Sequence, residues 1–389
     1  MQTTGDLYQA WYEAVVAAFG LSPLTFLLSR SLIPLGNTSR DLWDYYDSVP
    51  LESDGHFYEL HLFNRFSDGY GVVVNLIIPQ SGTAWRIAVG DHYSQWVEYL
   101  ASSPPIPPGG MLELFTDWAE KNIPDPARAQ AAITAYQQVL NGVVPVAQDR
   151  FIKAKGVYAF SRSIDEARDQ ARRGPKIQFS FSSTQPAAAG QEAAVSFAAR
   201  LAGANLPLET RGPAERAAAK LEMSHVEGKA FFDHQARVSA APLQTAEIIG
   251  GRAYPPWFSA PALSYAYNNP GPAVWPGDMK PTWEQTFGPS GNLRRLVTNV
   301  VLIDGAEIEL ISDADLTEEE KSALQQAATA GVTPLLAVAS PAELRAAGAT
   351  SRATVPLRLS FREENGSIVI QISSPPGNVM LFGVVADTP

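Results

Sequence analysis

The chain has 389 residues, which is longer than a single hydrophobic core normally supports, so its length predicts two domains. With 46% hydrophobic and 18% charged residues, the composition is that of a folded protein and excludes a chain that is disordered throughout. The formal net charge of -11 argues against nucleic acid as a partner, and the absence of cysteine excludes disulfides, thiolate catalysis and cysteine-ligated metal centres.

The amino-terminal segment is apolar but carries no basic start. Asp6 and Glu13 precede Arg30, the first cationic residue, whereas a secretory signal begins with basic residues. We therefore expect a cytoplasmic protein, or one exported without a classical signal peptide. The apolar run from Ala14 to Leu28 is shorter than the roughly 20 residues that span a bilayer. We interpret it as two packed core helices; the alternative is a membrane-active protein that inserts these helices.

Helical spacing dominates the first part of the chain. Apolar residues repeat at helical intervals in residues 7–18, 93–100 and 125–140. Between the first two of these segments lies the β-branched run 69–80, and residues 84–89 are also strongly apolar. We predict that these two runs form a pair of strands.

The apolar period changes to two in the second part of the chain. The sequence KIQFSFSS, which begins at Lys176, alternates apolar and polar residues. Turn signals at Asp304-Gly305 and Asn365-Gly366 each predict a β-hairpin. One helix interrupts the strands, because Thr317 and Glu320 have the spacing of a capping box. The pattern predicts a half-buried antiparallel sheet.

The change of period places a domain boundary near Gly174. The predicted fold class is α+β. Residues 1–174 would form a mainly helical domain with a small β-sheet, and residues 175–389 a mainly antiparallel, β-sandwich-like domain. Such an assignment does not identify a function.

A metal site is predicted in the segment LEMSHVEGKAFFDHQARV. If Gly228-Lys229 closes a two-residue hairpin, His225, Glu227 and His234 project from one face of the sheet. Two imidazoles and one carboxylate are the ligands of a non-haem iron site and also suit zinc with an open water position. A slip of one residue in the register would send His234 to the opposite face.

Nucleotide-dependent and serine-hydrolase chemistry have no support. The chain lacks a G-x-S-x-G elbow, a G-x-x-x-x-G-K-[ST] phosphate loop and a G-x-G-x-x-G fingerprint after a strand. We therefore expect no cofactor, with iron or zinc as the alternative if the histidine site forms.

Residues 254–291 hold the strongest functional signal. The segment contains eight aromatic residues and eight prolines but almost no charge. Aromatic rings on loops that proline stiffens suit sugar stacking or a protein contact, although a long loop can also fold its rings inward. The predicted ligand-binding residues are Trp257, Trp275, Trp283, Tyr254, Tyr265, Tyr267, Asn268 and Asp278.

The leading functional hypothesis is a non-enzymatic binding or assembly protein. It would present the segment 254–291 to a partner subunit or a glycan, and it could assemble as a homo-oligomer. The first alternative is a metal-dependent oxygenase or hydrolase that uses His225, Glu227 and His234. The second is the membrane-active protein described above.

Overall fold

The computed structural model describes residues 7–51, 55–60, 63–79, 82–102, 111–157, 164–182, 212–224, 226–239, 255–277, 279–339 and 356–388. The strands are β1 (Phe26–Pro34), β2 (Phe57–Tyr58), β3 (Ile177–Ser182), β4 (Val226–Ser239), β5 (Leu296–Ser312), β6 (Arg358–Glu364) and β7 (Ser367–Asp387). The helices are α1 (Leu7–Phe19), α2 (Ser39–Asp47), α3 (Phe66–Leu76), α4 (Gly82–Val89), α5 (Tyr93–Ser102), α6 (Met111–Asn122), α7 (Pro126–Leu140), α8 (Val143–Ala154), α9 (Ile164–Arg173), α10 (Pro213–Met223), α11 (Ala260–Asn268), α12 (Trp283–Phe287) and α13 (Glu318–Thr329).

The seven strands form one mixed sheet. Its order is β2-β1-β7-β5-β4-β3, and β6 also pairs with β7. Strands β1 and β2 are parallel, and the other pairs are antiparallel. The pairing of β5 with β7 runs from Leu296 opposite Asp387 to Ser312 opposite Ile368. The other edge of β7 pairs with β6 and then with β1. Helices together with this sheet confirm the predicted α+β class.

The predicted two-sheet sandwich is not what the described residues form. All of their named strands belong to the one sheet, and helices cover both of its faces. Strand β1 lies in the first 174 residues, yet it pairs with β7 near the end of the chain. The sheet therefore includes strands from both sides of the predicted boundary between residues 1–174 and 175–389.

The two central strands are bent by a bulge. Gly305 has φ 78°, and the β5–β7 register shifts between Asp304 and Ala306. Asp304 Oδ1 accepts a hydrogen bond of 2.6 Å from the backbone N–H of Gly377, which also has a positive φ. Because β5 pairs with β4 on both sides of Gly305, the predicted hairpin at Asp304-Gly305 is wrong. Gly305 adopts the left-handed conformation inside β5, and the extra residues of the irregularity lie on β7, between Ser374 and Val379.

Each face of the sheet carries its own hydrophobic core. Alternation along β5 sends Val300 and Leu302 to one face and Val301 and Ile303 to the other, and all four are fully buried. Helices α2, α3, α8, α9, α11 and α12 contribute to the first core. Helices α1, α10 and α13 contribute to the second.

Helices α4 to α7 form a separate unit with a third core. Its largest buried side chains are Trp85, Trp96, Trp118, Tyr136 and Phe115. The N-cap of α7 is Asp125, whose side chain accepts a hydrogen bond from the backbone of Ala127, as the sequence predicts. The chain leaves the sheet after α3 and returns to it with α8, so this α4–α7 unit is attached beside the first core.

Three local predictions fail for identifiable reasons. The run 69–80 falls in helix α3 and its end, because Tyr70, Val73, Val74 and Ile77 are buried at helical spacing. Residues 84–89 lie in helix α4 and not in a strand. The run 14–28 does not form two helices, since α1 ends at Phe19 and β1 begins at Phe26. None of the described helices is long and apolar enough to cross a membrane.

Other local predictions are confirmed. Asn365 and Gly366 have φ values of 54° and 83° and join β6 to β7, as expected for a type I′ turn. Thr317 caps α13 in a capping box with Glu320. Both elements are specified by residues within a few positions of one another, so the sequence predicts them without reference to distant contacts.

Gly383 gives a test of the β1–β7 contact. A Cβ atom at this position would lie 2.6 Å from the carbonyl oxygen of Leu27 and 2.6 Å from the ring of Phe26. We expect Gly383→Ala to lower the free energy of unfolding by about 2 kcal/mol, because the buried strands cannot separate without loss of packing. Chemical denaturation measures the change. Gly271→Ala is the control, since no atom lies within 4 Å of its Cβ position; equal stabilities of the two variants would contradict the prediction.

Candidate functional site

Two of the three tryptophans in segment 254–291 are buried. Trp257 and Trp275 are 1% and 4% exposed and belong to the first core. The Trp257 ring lies 5.5 Å from that of Trp43 and 5.7 Å from that of Tyr70, while Trp275 Nε1 donates to the Ala266 carbonyl at 3.0 Å. The prediction that these rings face outward is therefore wrong. Proline and the absence of charge mark a packed segment here, not a displayed one.

Four of the remaining predicted ligand-binding residues, Trp283, Tyr265, Tyr267 and Asn268, also make internal contacts. Trp283 is half-buried and donates to the carbonyl of Tyr267, whose ring packs against it. The Tyr265 hydroxyl donates to the Ile78 carbonyl at 3.1 Å. Asn268 is exposed, but its side-chain amide donates to the carbonyl of Ser264 within α11. Tyr254 and Asp278 lie outside the described residues.

The hairpin on which the metal site depends does not form. Strand β4 runs without a turn through Gly228 and Lys229, and it pairs with β5 on both sides of them. Glu227 and His234 are seven positions apart in this continuous strand, so their backbones are separated by roughly 23 Å. His225 lies outside the described residues. In the described part of the chain, no three histidine, aspartate or glutamate side chains are grouped to hold a metal ion.

A buried ionic cluster joins α2 to α3. Asp47 is fully buried and accepts hydrogen bonds from the backbone N–H and the hydroxyl of Ser67, at 2.7 and 2.9 Å. Arg65 lies 3.7 Å from both Asp44 and Asp47. Burial raises the pKa of Asp44 to about 6, against the opposing effect of Arg65. Carboxylates so enclosed cannot meet a substrate, so the cluster serves the fold by fixing the start of α3.

An open groove of about 1120 Å³ lies between the α4–α7 unit and helix α8. Ligand pockets span about 300–1,000 Å³, so this space is sufficient for a small organic molecule. The lining is mainly apolar and comes from residues distant in the sequence. Its apolar residues are Ile77, Ile78, Pro79, Trp85, Tyr93, Trp96, Val97, Leu100, Met111, Leu112, Tyr136, Val139, Leu140, Pro145, Val146 and Ile152.

Helix α8 packs on the first core with one side and forms a wall of the groove with another. Val144 and Phe151 are buried in the first core. Val146 and Ile152 line the groove and remain 39% and 74% exposed. Across the groove, Val97 of α5 is 46% exposed. Clustered exposed apolar side chains mark an interaction surface more often than isolated ones do.

Two potential hydrogen-bond donors line the groove close together. Trp85 is 9% exposed, and its indole Nε1 has no hydrogen-bond partner. Its ring lies 4.9 Å from that of Tyr136, which is 5% exposed. Burial raises the pKa of Tyr136 to about 12, so its hydroxyl stays protonated and can donate at neutral pH.

Basic side chains also line the groove. The Arg86 guanidinium lies 4.6 Å above the Tyr93 ring and donates to the Tyr93 hydroxyl at 3.2 Å. Lys153 is paired with Asp149 at 2.8 Å. Neither Arg86 nor Arg150 forms an ion pair with any residue in the described ranges. The groove thus combines an apolar body with uncompensated positive charge.

Sequence reasoning found parts of the groove but not the site. Residues 93–100 and 125–140 were predicted as helices with core-facing sides, and both predictions are correct. Their contribution to a groove depends on how α8 packs beside them. The signal that could have indicated it is the pair Val146 and Ile152, which lie off the buried face of α8.

No protein-family model, curated protein or solved structure matches this chain.

Truncation of Trp257 tests the corrected role of segment 254–291. We expect Trp257→Ala to lower the free energy of unfolding by about 3–5 kcal/mol, because it leaves a large cavity among core rings. Thermal and denaturant melts measure it. Met279→Ala, at a position 49% exposed in the same segment, should leave the melt nearly unchanged. An unaltered melt for Trp257→Ala would restore the outward-facing interpretation.

Asp44→Asn should stabilise the protein at neutral pH. The folded-state pKa of about 6 exceeds the value for the unfolded chain, so protonation of Asp44 favours the folded state. The contribution of the Asp44 carboxyl to the free energy of unfolding therefore increases as the pH falls through 6 towards 4. The variant should gain about 2 kcal/mol over the parent at pH 8 and nothing at pH 4. Melting curves across this range check it, and a less stable variant at pH 8 would refute the effect.

Proposed function

We propose that the protein is a non-enzymatic binding protein that holds an elongated apolar small molecule in the groove between α8 and the α4–α7 unit. The observation that carries the proposal is the line of exposed aliphatic side chains on both walls, Val97 on one and Val146 and Ile152 on the other. Their burial by a ligand would be favourable by about 25 cal/mol per Å² of apolar surface removed from water.

The construction of the groove supports binding of a ligand. Its aromatic side is held by packing among Trp85, Phe115 and Tyr136, whose ring centroids lie 4.2 to 5.6 Å apart. Its other side, α8, is anchored by Phe151 in the first core. A site built on packed helices is preorganised, so little ordering free energy opposes binding.

The earlier binding hypothesis keeps its class but changes its location. The burial of Trp257 and Trp275 removes the support for a glycan or partner-subunit contact through those two rings. A metal-dependent enzyme loses its support with the hairpin at Gly228. Insertion of residues 14–28 into a membrane would require α1 to leave the second core, where Trp11 and Val15 are buried.

A neutral fluorescent dye, N-phenylnaphthylamine, tests the proposal. We expect saturable binding with enhanced emission, and a weaker affinity by about tenfold or more for Val146→Glu and Ile152→Glu, because each places a charge on an apolar wall. Ile87→Glu is the matched control, since Ile87 is 73% exposed on α4 but does not line the groove. Absence of saturable binding, or equal loss in all three variants, would exclude the groove as the site.

A further inference from the structure

We propose that the natural ligand of the groove carries a carboxylate, and that this head is bound beside Trp85 by the indole N–H, the Tyr136 hydroxyl and the Arg86 guanidinium. The inference rests on the proposed function of the groove, because it identifies the polar end of the molecule bound there.

The first support is an unsatisfied donor. A buried indole N–H without a partner is unfavourable, and such groups in native proteins call for an explanation. Trp85 Nε1 is such a group, and Trp85 lines the groove. Its indole can donate a hydrogen bond but cannot accept one. The group that satisfies it must therefore be an acceptor.

The second support is a neighbouring donor and cation. Tyr136 and Tyr93 both pack on Trp85, at ring distances of 4.9 and 5.5 Å, and Arg86 lies over the Tyr93 ring. Tyr136 makes no hydrogen bond to any group in the described part of the chain. These ring contacts bring Trp85, Tyr136, Tyr93 and Arg86 together at one end of the groove, where we propose that the polar head binds.

The third support is the sign of the charge. The whole chain carries a net charge of -11, yet the charged residues that line the groove are Arg86, Arg150, Lys153 and Asp149. Since Asp149 is paired with Lys153, the two arginines leave the site positive. Positive charge on a strongly acidic protein attracts an anion at that place and not at random over the surface.

The number of groups favours a carboxylate over a phosphate. A carboxylate carries one charge on two oxygens, which two neutral donors and one guanidinium satisfy. A phosphate monoester carries close to two charges on three oxygens and would need more donors than this end of the groove provides. The aliphatic walls then take the chain of the ligand, so the class is an aliphatic or alkyl-aromatic carboxylate.

Displacement of the dye by a series of single-chain molecules tests which polar head group the groove prefers. Dodecanoate, dodecanol, dodecyl phosphate and dodecylamine share one chain and differ in the head. We expect dodecanoate to displace the dye at about tenfold lower concentration than dodecanol, because hydrogen bonds to a charged group are stronger than neutral ones. Dodecylamine should be the weakest, and dodecyl phosphate should not exceed dodecanoate.

Substitutions that each remove one proposed donor test their roles. Trp85→Phe and Tyr136→Phe should each weaken the binding of dodecanoate about five- to tenfold and should weaken the binding of dodecanol by less. Arg86→Gln should weaken dodecanoate and reduce its dependence on salt concentration. Tyr99→Phe and Arg173→Gln are matched controls, since neither residue lines the groove. Thermal melts establish that each variant is folded.

The possible results separate the two proposals. If none of the four molecules displaces the dye and the dye itself does not bind, the proposed function fails. If all four molecules bind but dodecanoate has no advantage over dodecanol, the groove remains the binding site and the carboxylate inference is overturned. The carboxylate inference is also overturned if Trp85→Phe weakens the binding of every ligand equally. If Trp85→Phe does not fold, Tyr136→Phe and the four dodecyl compounds still test the carboxylate inference.

Discussion

The pairing of β5 with β7 is the constraint on which the remainder of the structure depends. These two strands form the centre of the sheet, and β1, β4 and β6 are each attached to one of them. Their alternating side chains supply both cores, so every helix that covers the sheet packs on residues whose orientation this pairing fixes. Helix α8 is held in the same way, through Phe151 in the first core. The groove has its second wall because that helix has a fixed position.

Predictions succeeded where the determining interactions are local. The I′ turn at Asn365-Gly366, the cap at Asp125 and the capping box at Thr317 are set by residues within a few positions of one another. They failed where distant contacts decide. The valines near residue 73 have high strand propensity, yet a neighbouring core selects the helix. Asp304-Gly305 has a turn signature, but two adjacent strands hold the chain extended through it.

The two predicted sites and the observed groove differ in the same respect. Segment 254–291 has a composition that fits both display and burial, and only its neighbours Trp43 and Tyr70 decide between them. The groove brings together the end of α3 with helices α4 to α8, and no short sequence motif encodes this arrangement. What the sequence does contain is a helix, α8, whose apolar residues Val146 and Ile152 lie outside the face that the core buries.

The position of β1 in the sheet has a consequence for when the sheet can close during synthesis of the chain. Its antiparallel partner is the last strand, about 330 residues further along. At a translation rate of roughly 5–20 residues per second, the interval between their synthesis is about 15 to 70 seconds. Strand β1 can pair early with β2, but its other edge stays uncovered until β7 has been synthesised. The sheet therefore closes late, and pairing over so long a sequence separation is intrinsically slow.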